Sequence, residues 1–511
     1  MKKNLKLFFG LVMASFMLFG CTNGSGGKGD GISNTPNVKM DKTFYNPLDI
    51  KKGVGDPWLY KHTDGYYYYT HSMSGMIRVT KSKSPTFLKE NDVDPERSTV
   101  IFRQKSIDVI EIWAPEVFFY QGRWYCYFTA TVETNPETDT PYDTIGKDGA
   151  RRTYVIQSKT EDLFGEWNRA QKLELPEDIR SIDATFFAYN NRLYTVYAGW
   201  PQKYNQQYRQ HLYITELEDP MHAKSSETVR HLVSEPNETW ERDGATAQNE
   251  GPCVCFAPDG TPILMYSGSY SGGDTYCIAY LKLVGNDLLQ QSSWQKCATP
   301  LMQRDVEDSE ILAPGHNSVI KSPDGKEDWI CYHSAKLSGS GWDRQVRLQK
   351  MTWDGNTPVV ERIYKASEEA PLPSGDNPTR YKFEAENATL TSDCYKVDKE
   401  GYASNNVAIS ISETTGSIHF EVAVPENGQY AVGVRYSNKD SSQTIIKVNI
   451  NNTDNDVELF APNTWYDDHF FMTWLFTDLY IKPQGQNDIV IKADSPILID
   501  CIVIDYLDHT K

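Results

Sequence analysis

The sequence predicts an all-β protein, a five-bladed β-propeller followed by a β-sandwich of jelly-roll type. Three observations predict it. From Asn46 to about Lys365 no stretch sustains an apolar stripe of helical period, and short aromatic or β-branched runs recur instead. Within that region one unit repeats five times, built from an anchor residue, a strand, a tight turn and an aromatic strand. Beyond Tyr381, Val and Ile alternate with Thr, Ser and Asn, as in SIHFEVAVP, QYAVGVRYS, TIIKVNI and DIVIKA, the pattern of a second all-β body.

The five units read Asp56-PWLYKHTDG-YYYYTHS, Trp113-APEVFFYQG-RWYCYFTA, Asp183-ATFFAYNN-RLYTVYAG, Glu250-GPCVCFAPDG-TPILMYSG and His316-NSVIKSPDG-KEDWICYHS. Their turn residues, Gly65, Gly122, Asn191, Gly260 and Gly325, stand 57, 69, 69 and 65 residues apart. Asp-Gly and Asn-containing turns between such runs are hairpin signals. Five hairpins at a nearly constant spacing point to radial repetition, with one four-stranded blade per unit. A β-helix would need shorter repeats, and a sandwich would not produce five similar units. At about 150 residues per domain the chain of 511 suggests three domains. A propeller over residues 41–367 reduces that to two, with EEAPLPSGDNPT (368–379) as a Pro- and Gly-rich linker and 380–511 as the sandwich.

The chain opens on an address. Lys2 and Lys3 precede an apolar run from Leu7 to Phe19, which ends in Leu18-Phe19-Gly20-Cys21. This resembles a bacterial lipobox, so residues 1–20 read as a cleaved lipoprotein signal peptide and Cys21 as the lipidated first residue. Residues 21–40, rich in Gly, Ser and Asn, read as a flexible tether. The expected location is the cell surface or periplasm, with a lipid as the only membrane attachment.

Fifty-one Lys and Arg face 69 Asp and Glu, a formal charge of −18 that repels phosphate backbones and excludes nucleic acid as a partner. Eight cysteines remain after Cys21, most of them inside apolar strand runs. Cys253 and Cys255 share a strand face and read as small buried apolar groups rather than a metal pair. No organic cofactor motif is present.

The anchors carry the chemistry. In a propeller the first strand of each blade lines the axis, so the five anchors converge, and three of them are the acids Asp56, Asp183 and Glu250. A charge opening an apolar inner strand is expensive unless it is paired or used. Mutual repulsion spreads the pKa values of three such carboxyls, which equips a site to cleave a glycosidic bond by acid and base. Any one of these acids alone would read as a strand cap; their matching repeat positions favour a site.

Gly55-Asp56-Pro57-Trp58, Trp113-Ala114-Pro115-Glu116, Ile182-Asp183-Ala184, Glu250-Gly251-Pro252 and Gly315-His316-Asn317-Ser318 together resemble glycoside hydrolase family 43, over about residues 41–370. The resemblance implies an inverting mechanism with Asp56 as general base, Glu250 as general acid and Asp183 as the acid that tunes and orients Glu250. Inverting carboxyl pairs stand roughly 6.5–9.5 Å apart to admit a water. It also implies that His316 lies near the axis, where it holds a calcium ion or an ordered water, and that Arg347 or Arg344 reaches substrate hydroxyls, with Arg347 the closer match. Trp58, Trp113 and Trp200 read either as walls of a furanose pocket or as packing between blades.

Beyond the linker, Phe383-Glu384-Ala385-Glu386, Gly401-Tyr402, Tyr430 to Tyr436, Gly485-Gln486-Asn487 and Ile499-Asp500 resemble a carbohydrate-binding module of family 6 or 35. By that resemblance Glu384, Glu386 and Asp500 lie near a structural calcium. Tyr402 and Trp465 are candidates to stack on a sugar ring, and Trp474, in FFMTWLF, reads as core. The expected protein is an exo-acting α-L-arabinofuranosidase on arabinan, arabinoxylan or other arabinose-bearing oligo- or polysaccharides. The alternatives are a β-xylosidase, alone or combined with arabinofuranosidase activity, and a surface lipoprotein that binds glycans without cleaving them.

Overall fold

The computed structural model describes residues 40–507 except 90–95, 136–139, 142–143, 203–208, 305–310, 404, 440–441 and 483–485. The leader, Cys21 and the tether up to residue 39 therefore lie outside the described residues. Val38–Lys511 form one compact unit. It is all-β: among the described residues only Thr144–Gly149 is α-helical, and no helix is long and apolar enough to cross a membrane.

Each of the five units forms an antiparallel hairpin at the start of a sheet. The first sheet runs Trp58–Lys61, Tyr67–Thr70, Met76–Ser82, Ser98–Arg103, and the second Ile110–Tyr120, Arg123–Thr131, Arg152–Gln157, Gln171–Lys172. The third is built on Ser181–Tyr189, Arg192–Gly199, Arg209–Asp219 and His231–Ser234, the fourth on Thr246–Phe256, Pro262–Gly268, Cys277–Leu283 and Trp294–Lys296. These two join through a short parallel contact, Arg209 opposite Ala247 and Gln210 opposite Gln248. The fifth runs Leu312–Lys321, Asp328–Ala335, Arg344–Asp354, Thr357–Val359. All five turn residues take left-handed backbone, with φ of 87, 78, 60, 86 and 77° in order. Glycine adopts that region without penalty and asparagine at small cost, which is why these types recur there.

The fifth sheet packs back on the first. Leu59, Tyr67 and Tyr69 share an apolar cluster with Ile320, Trp329 and Cys331, and the Tyr67 hydroxyl donates to the Lys321 carbonyl at 2.8 Å. Cys253 and Cys255 lie in one core cluster, and all eight described cysteines are buried and free.

A second regularity ties the sheets together. In the second to fifth sheets the register of the first strand breaks at the anchor, between Trp113 and Glu116, Ile182 and Thr185, Glu250 and Cys253, and Gly315 and Ser318. At each break one residue is left-handed, namely Ala114, Asp183, Gly251 and His316, and Asp56 does the same in the first sheet, with φ from 42 to 55°. Four of the five carry a Cβ, at a cost on the order of 1–3 kcal/mol each. A bulge also strips its residue of a ladder partner. Every freed N–H is taken by a side chain of the preceding sheet. Asp56 donates to His333 Nδ1 (3.0 Å), Ala114 to Ser72 Oγ (2.8 Å), Asp183 to Thr129 Oγ1 (3.1 Å), Gly251 to Asp183 Oδ2 (3.2 Å) and His316 to Ser267 Oγ (2.7 Å). The five bonds run fifth to first, first to second, and so on round to the fifth.

The C-terminal residues form two sheets around one core. Cys394–Asp398, Val407–Ile411, Ile497–Tyr506, Gly428–Ser437 and Phe471–Leu479 make one, with Arg380–Glu384 beside Ile497–Tyr506; Thr389–Leu390, Ile418–Val422, Asn487–Ala493, Thr444–Ile450 and Val457–Ala461 make the other. Thr444–Ile450 shows the strand logic: Ile446, Val448 and Ile450 face inward and Ile445, Lys447 and Asn449 outward. Residues 368–379, expected as a linker, are instead packed. Ala370–Pro371 pairs with Thr43–Phe44, and Asp376 accepts from Ser84 (2.7 Å) and Thr86 (3.3 Å). Arg380 binds Asp505 through two nitrogens (2.8 and 3.0 Å) and reaches the Thr43 carbonyl with a third (3.1 Å).

Thr129→Val keeps the side-chain shape and leaves the buried Asp183 N–H without an acceptor. The expected cost is about 1–3 kcal/mol, read as a lower urea midpoint; an unchanged midpoint would show that this bond does not support the fold.

Candidate active site

Asp56 takes left-handed backbone two residues before the strand that opens the first sheet. Its Oδ1 lies 3.1 Å from His316 Nδ1 and accepts from Arg344 Nη1 at 3.1 Å; its Oδ2 accepts from Ser72 Oγ at 2.6 Å. Burial drives this carboxyl up, but His316, Arg344 and His333 outweigh it and hold Asp56 well below the usual carboxylate range. His316 is the counterpart. Burial works to neutralise it, yet Asp56, Asp183 and Glu116 raise it to about 9. His333 is pressed well below the usual histidine value, by burial first and Arg344 next, so a neutral ring accepts the Asp56 N–H.

Glu250 opens the fourth sheet's inner strand and is held from two sides. Gln210 Nε2 donates to Oε2 at 2.6 Å, the Tyr276 hydroxyl donates to Oε1 at 2.9 Å, and Gln210 is in turn bound by Arg180. Tyr276 lies flat against Gly315, where a Cβ would stand 2.0 Å from the ring, so only glycine fits. Asp183 grips the backbone next to Glu250 through the Gly251 N–H. Burial lifts Asp183 to about 7; His316 opposes this, while Glu250 and Asp56 add to it. Glu116, 3% exposed, lies within the electrostatic reach of His316 and Asp183. Burial lifts it well above the usual range against the pull of Thr185 and His316.

The three acids and His316 thus meet at one place, and several sequence expectations change. Arg347 is fully buried, three positions along the strand from Arg344 and so on its other face; Arg344 is the guanidinium that reaches Asp56. Trp58 donates its indole N–H to the Val117 carbonyl (2.7 Å) and packs against two core clusters, which makes it a wedge between sheets. Trp113 has one face covered by Arg151, whose guanidinium carbon lies 3.2 Å from the ring centroid. Trp200 is buried under Arg180. His316 Nδ1 faces the Asp56 carboxylate at 3.1 Å, so the ring is oriented by Asp56. Sequence reasoning missed Gln210, Tyr276 and Ser72; Gln210 is a polar residue on a largely buried strand, while Tyr276 and Ser72 stand just outside strands.

In the C-terminal sheets Tyr402 is buried with Ala408 and Phe470 and carries Lys399 over its ring at 4.5 Å, so it offers no free face to a sugar. Trp465 is 37% exposed. Trp474 packs edge-on against Phe87 of the first sheet's loop at 5.5 Å rather than within the C-terminal core. Glu384, Asp500 and Cys501 bring ligand atoms within 4.8 Å of one another. Glu384 Oε2, Glu386 Oε2 and Asp500 Oδ1 are buried with no hydrogen-bond donor. Burial raises Glu384 to about 7; Lys382 opposes this, while Asp500 and Glu386 add to it.

This chain belongs to the glycosyl hydrolases family 43, whose pattern its residues 45–358 match. It is 31% identical over 323 residues to an extracellular exo-α-(1→5)-L-arabinofuranosidase of Streptomyces avermitilis, covering 61% of this chain and 62% of that one. It is 27% identical over 385 residues to α-L-arabinofuranosidase 43 of Humicola insolens, covering 73% and 70%. Among solved structures, an α-L-arabinofuranosidase from Lactobacillus brevis superposes on 65% of this chain and 98% of its own, with a TM-score of 0.54 and 27% identity. A thermostable family-43 glycoside hydrolase, 22% identical with a TM-score of 0.51, shares the fold over 66% of this chain and 100% of its own.

Asp183 binds its proton more tightly folded than unfolded, so the fold loses stability as pH rises from about 4 to about 7. Asp183→Asn is therefore expected to unfold at a higher temperature than the native protein at pH 8, with the gap closing near pH 4. A gap independent of pH would refute the raised value.

Proposed function

We propose that the chain is an inverting, exo-acting α-L-arabinofuranosidase, with Asp56 as general base, Glu250 as general acid and Asp183 as the group that orients Glu250. The observation that carries this reading is the opposite treatment of two anchors: Asp56 is held anionic by His316 and Arg344, while Asp183 beside Glu250 is raised to about 7. Family membership and the names of the relatives support the reaction and the sugar. In the step, a water oxygen attacks the anomeric carbon as Asp56 takes the water's proton. The glycosidic bond breaks on the opposite side, and Glu250 gives its proton to the departing oxygen. One displacement leaves the free sugar with inverted configuration. Tyr276 and Gln210 aim Glu250 throughout.

We read the five sheets as the blades of a propeller over residues 41–367; the closed circuit of inter-sheet hydrogen bonds supports it. We read residues 380–511 as a β-sandwich carbohydrate-binding module. Glu384, Glu386 and Asp500 fit a calcium ion there, since three buried oxygens without donors are the chemistry a hard cation satisfies. Such an ion would relieve the repulsion from Asp500 and Glu386 that adds to the effect of burial on Glu384. Export and anchoring through Cys21 are supported by the lipobox-like leader.

Hydrolysis of a panel of nitrophenyl glycosides, with the product anomer followed by NMR, tests the activity. α-L-Arabinofuranoside is expected to be cleaved with inversion, and Glu250→Gln and Asp56→Asn each to lose about 10²–10⁴-fold in kcat. Retention of configuration, preference for a xyloside, or undiminished variants would overturn the assignment. Chelation is expected to lower the unfolding temperature and added calcium to restore it, with Asp500→Asn insensitive to both. Equal melting with and without chelator would remove the metal.

A further inference from the structure

Trp342 is the most exposed tryptophan of the chain, at 60%, and it is not loose. Its indole N–H donates to Ser271 Oγ at 3.4 Å, and its ring meets Tyr270 edge-on at 5.9 Å and 79°. Both loops that hold it are pinned: Asp274 accepts from the Gly339 N–H at 2.9 Å and from the Ser338 hydroxyl. The preceding run Ser338-Gly339-Ser340-Gly341 is small, and Gly339 and Gly341 take left-handed backbone. Leaving a large apolar ring in water is unfavourable, and fixing it there adds an ordering cost. Neither serves the core.

The ring's place gives it a use. Ser271, which receives the indole, also accepts through its carbonyl from Arg344 Nη2 at 2.8 Å, and Arg344 Nη1 binds Asp56. The path from Asp56 to the exposed ring is thus two side chains long, through groups that are each fixed. We infer that Trp342 is a stacking platform for a substrate saccharide ring beyond the one that is cleaved, selecting oligo- and polysaccharide substrates over glycosides with small aglycones. This rests on the hydrolase reading above. An immobilised indole face meets the C–H face of a sugar ring without a polar group to desolvate, and its orientation is already ordered before binding.

The test compares kcat/KM for methyl α-L-arabinofuranoside with that for arabino-oligosaccharides of increasing length. In the native enzyme the oligosaccharides are expected to be favoured. In Trp342→Ala that ratio is expected to fall about tenfold through KM, with kcat nearly retained, while Trp342→Phe keeps most of it. Tyr480→Ala, an exposed aromatic of the C-terminal sheets, is expected to leave the ratio unaltered. An unchanged ratio in Trp342→Ala, or an equal fall in Tyr480→Ala, overturns the platform. If the native enzyme cleaves no arabinofuranoside, the functional reading fails by itself. The platform is then judged in Glu250→Gln protein titrated with xylo- and galacto-oligosaccharides by tryptophan fluorescence: quenching that Trp342→Ala abolishes upholds it, and quenching that survives, or none, refutes it.

Discussion

Five backbone N–H groups, four of them pushed off their own ladders by a bulge and the fifth, Asp56, standing just before its strand, are each received by a side chain of the unit before, and they decide where every reactive group stands. The bulge turns the anchor out of the pleat, and the receiving side chain fixes how far. Three receivers stand near or opposite an anchor on the second strand of their hairpin, Thr129, Ser267 and His333, and Ser72 lies two residues past the second strand of the first hairpin. In the third sheet the residue opposite Ile182 is Ala198, which has no acceptor, and Asp183 supplies its own carboxylate to Gly251 instead. One acid therefore both closes the circuit and stands against Glu250.

Charge is settled by the same arrangement. Four acids meeting at one site would repel each other strongly, and the compensation is unequal. His316 and Arg344 outweigh burial at Asp56, whereas at Asp183 and Glu116 burial prevails over the pull of His316 and raises both carboxyls. The difference between Asp56 and Asp183 thus turns on the His316 and Arg344 contacts that Asp56 makes. It is independent of the net charge of −18, which comes mostly from the surface.

The sheet pattern was legible in the chain because period-two runs and Gly or Asn turns are local signals, and all five turn residues are left-handed as those types allow. The acids were legible because repetition put them in matching places. What stayed hidden depends on contacts between sheets. Trp58 read equally as a pocket wall or as packing between blades, and it is a wedge, because its partner, the Val117 carbonyl, belongs to another unit. Arg344 and Arg347 differ only in strand face, and a bulged, twisted sheet conceals from sequence which face looks inward. The packing of residues 368–379 was masked by their Pro and Gly content, which marks turns as readily as linkers.

The bond from Asp56 to His333 joins residues far apart in sequence, and His316, which holds Asp56 anionic, also comes from the last of the five units. Contacts of such long sequence separation form late and slowly in folding. A nascent or truncated chain lacking the fifth unit carries Asp56 and Glu250 but has neither the cation that ionises the one nor the stop that closes the ring around both. Proteolytic loss of that unit would leave fragments without a working pocket, so the hydrolytic site is a property of the finished chain alone.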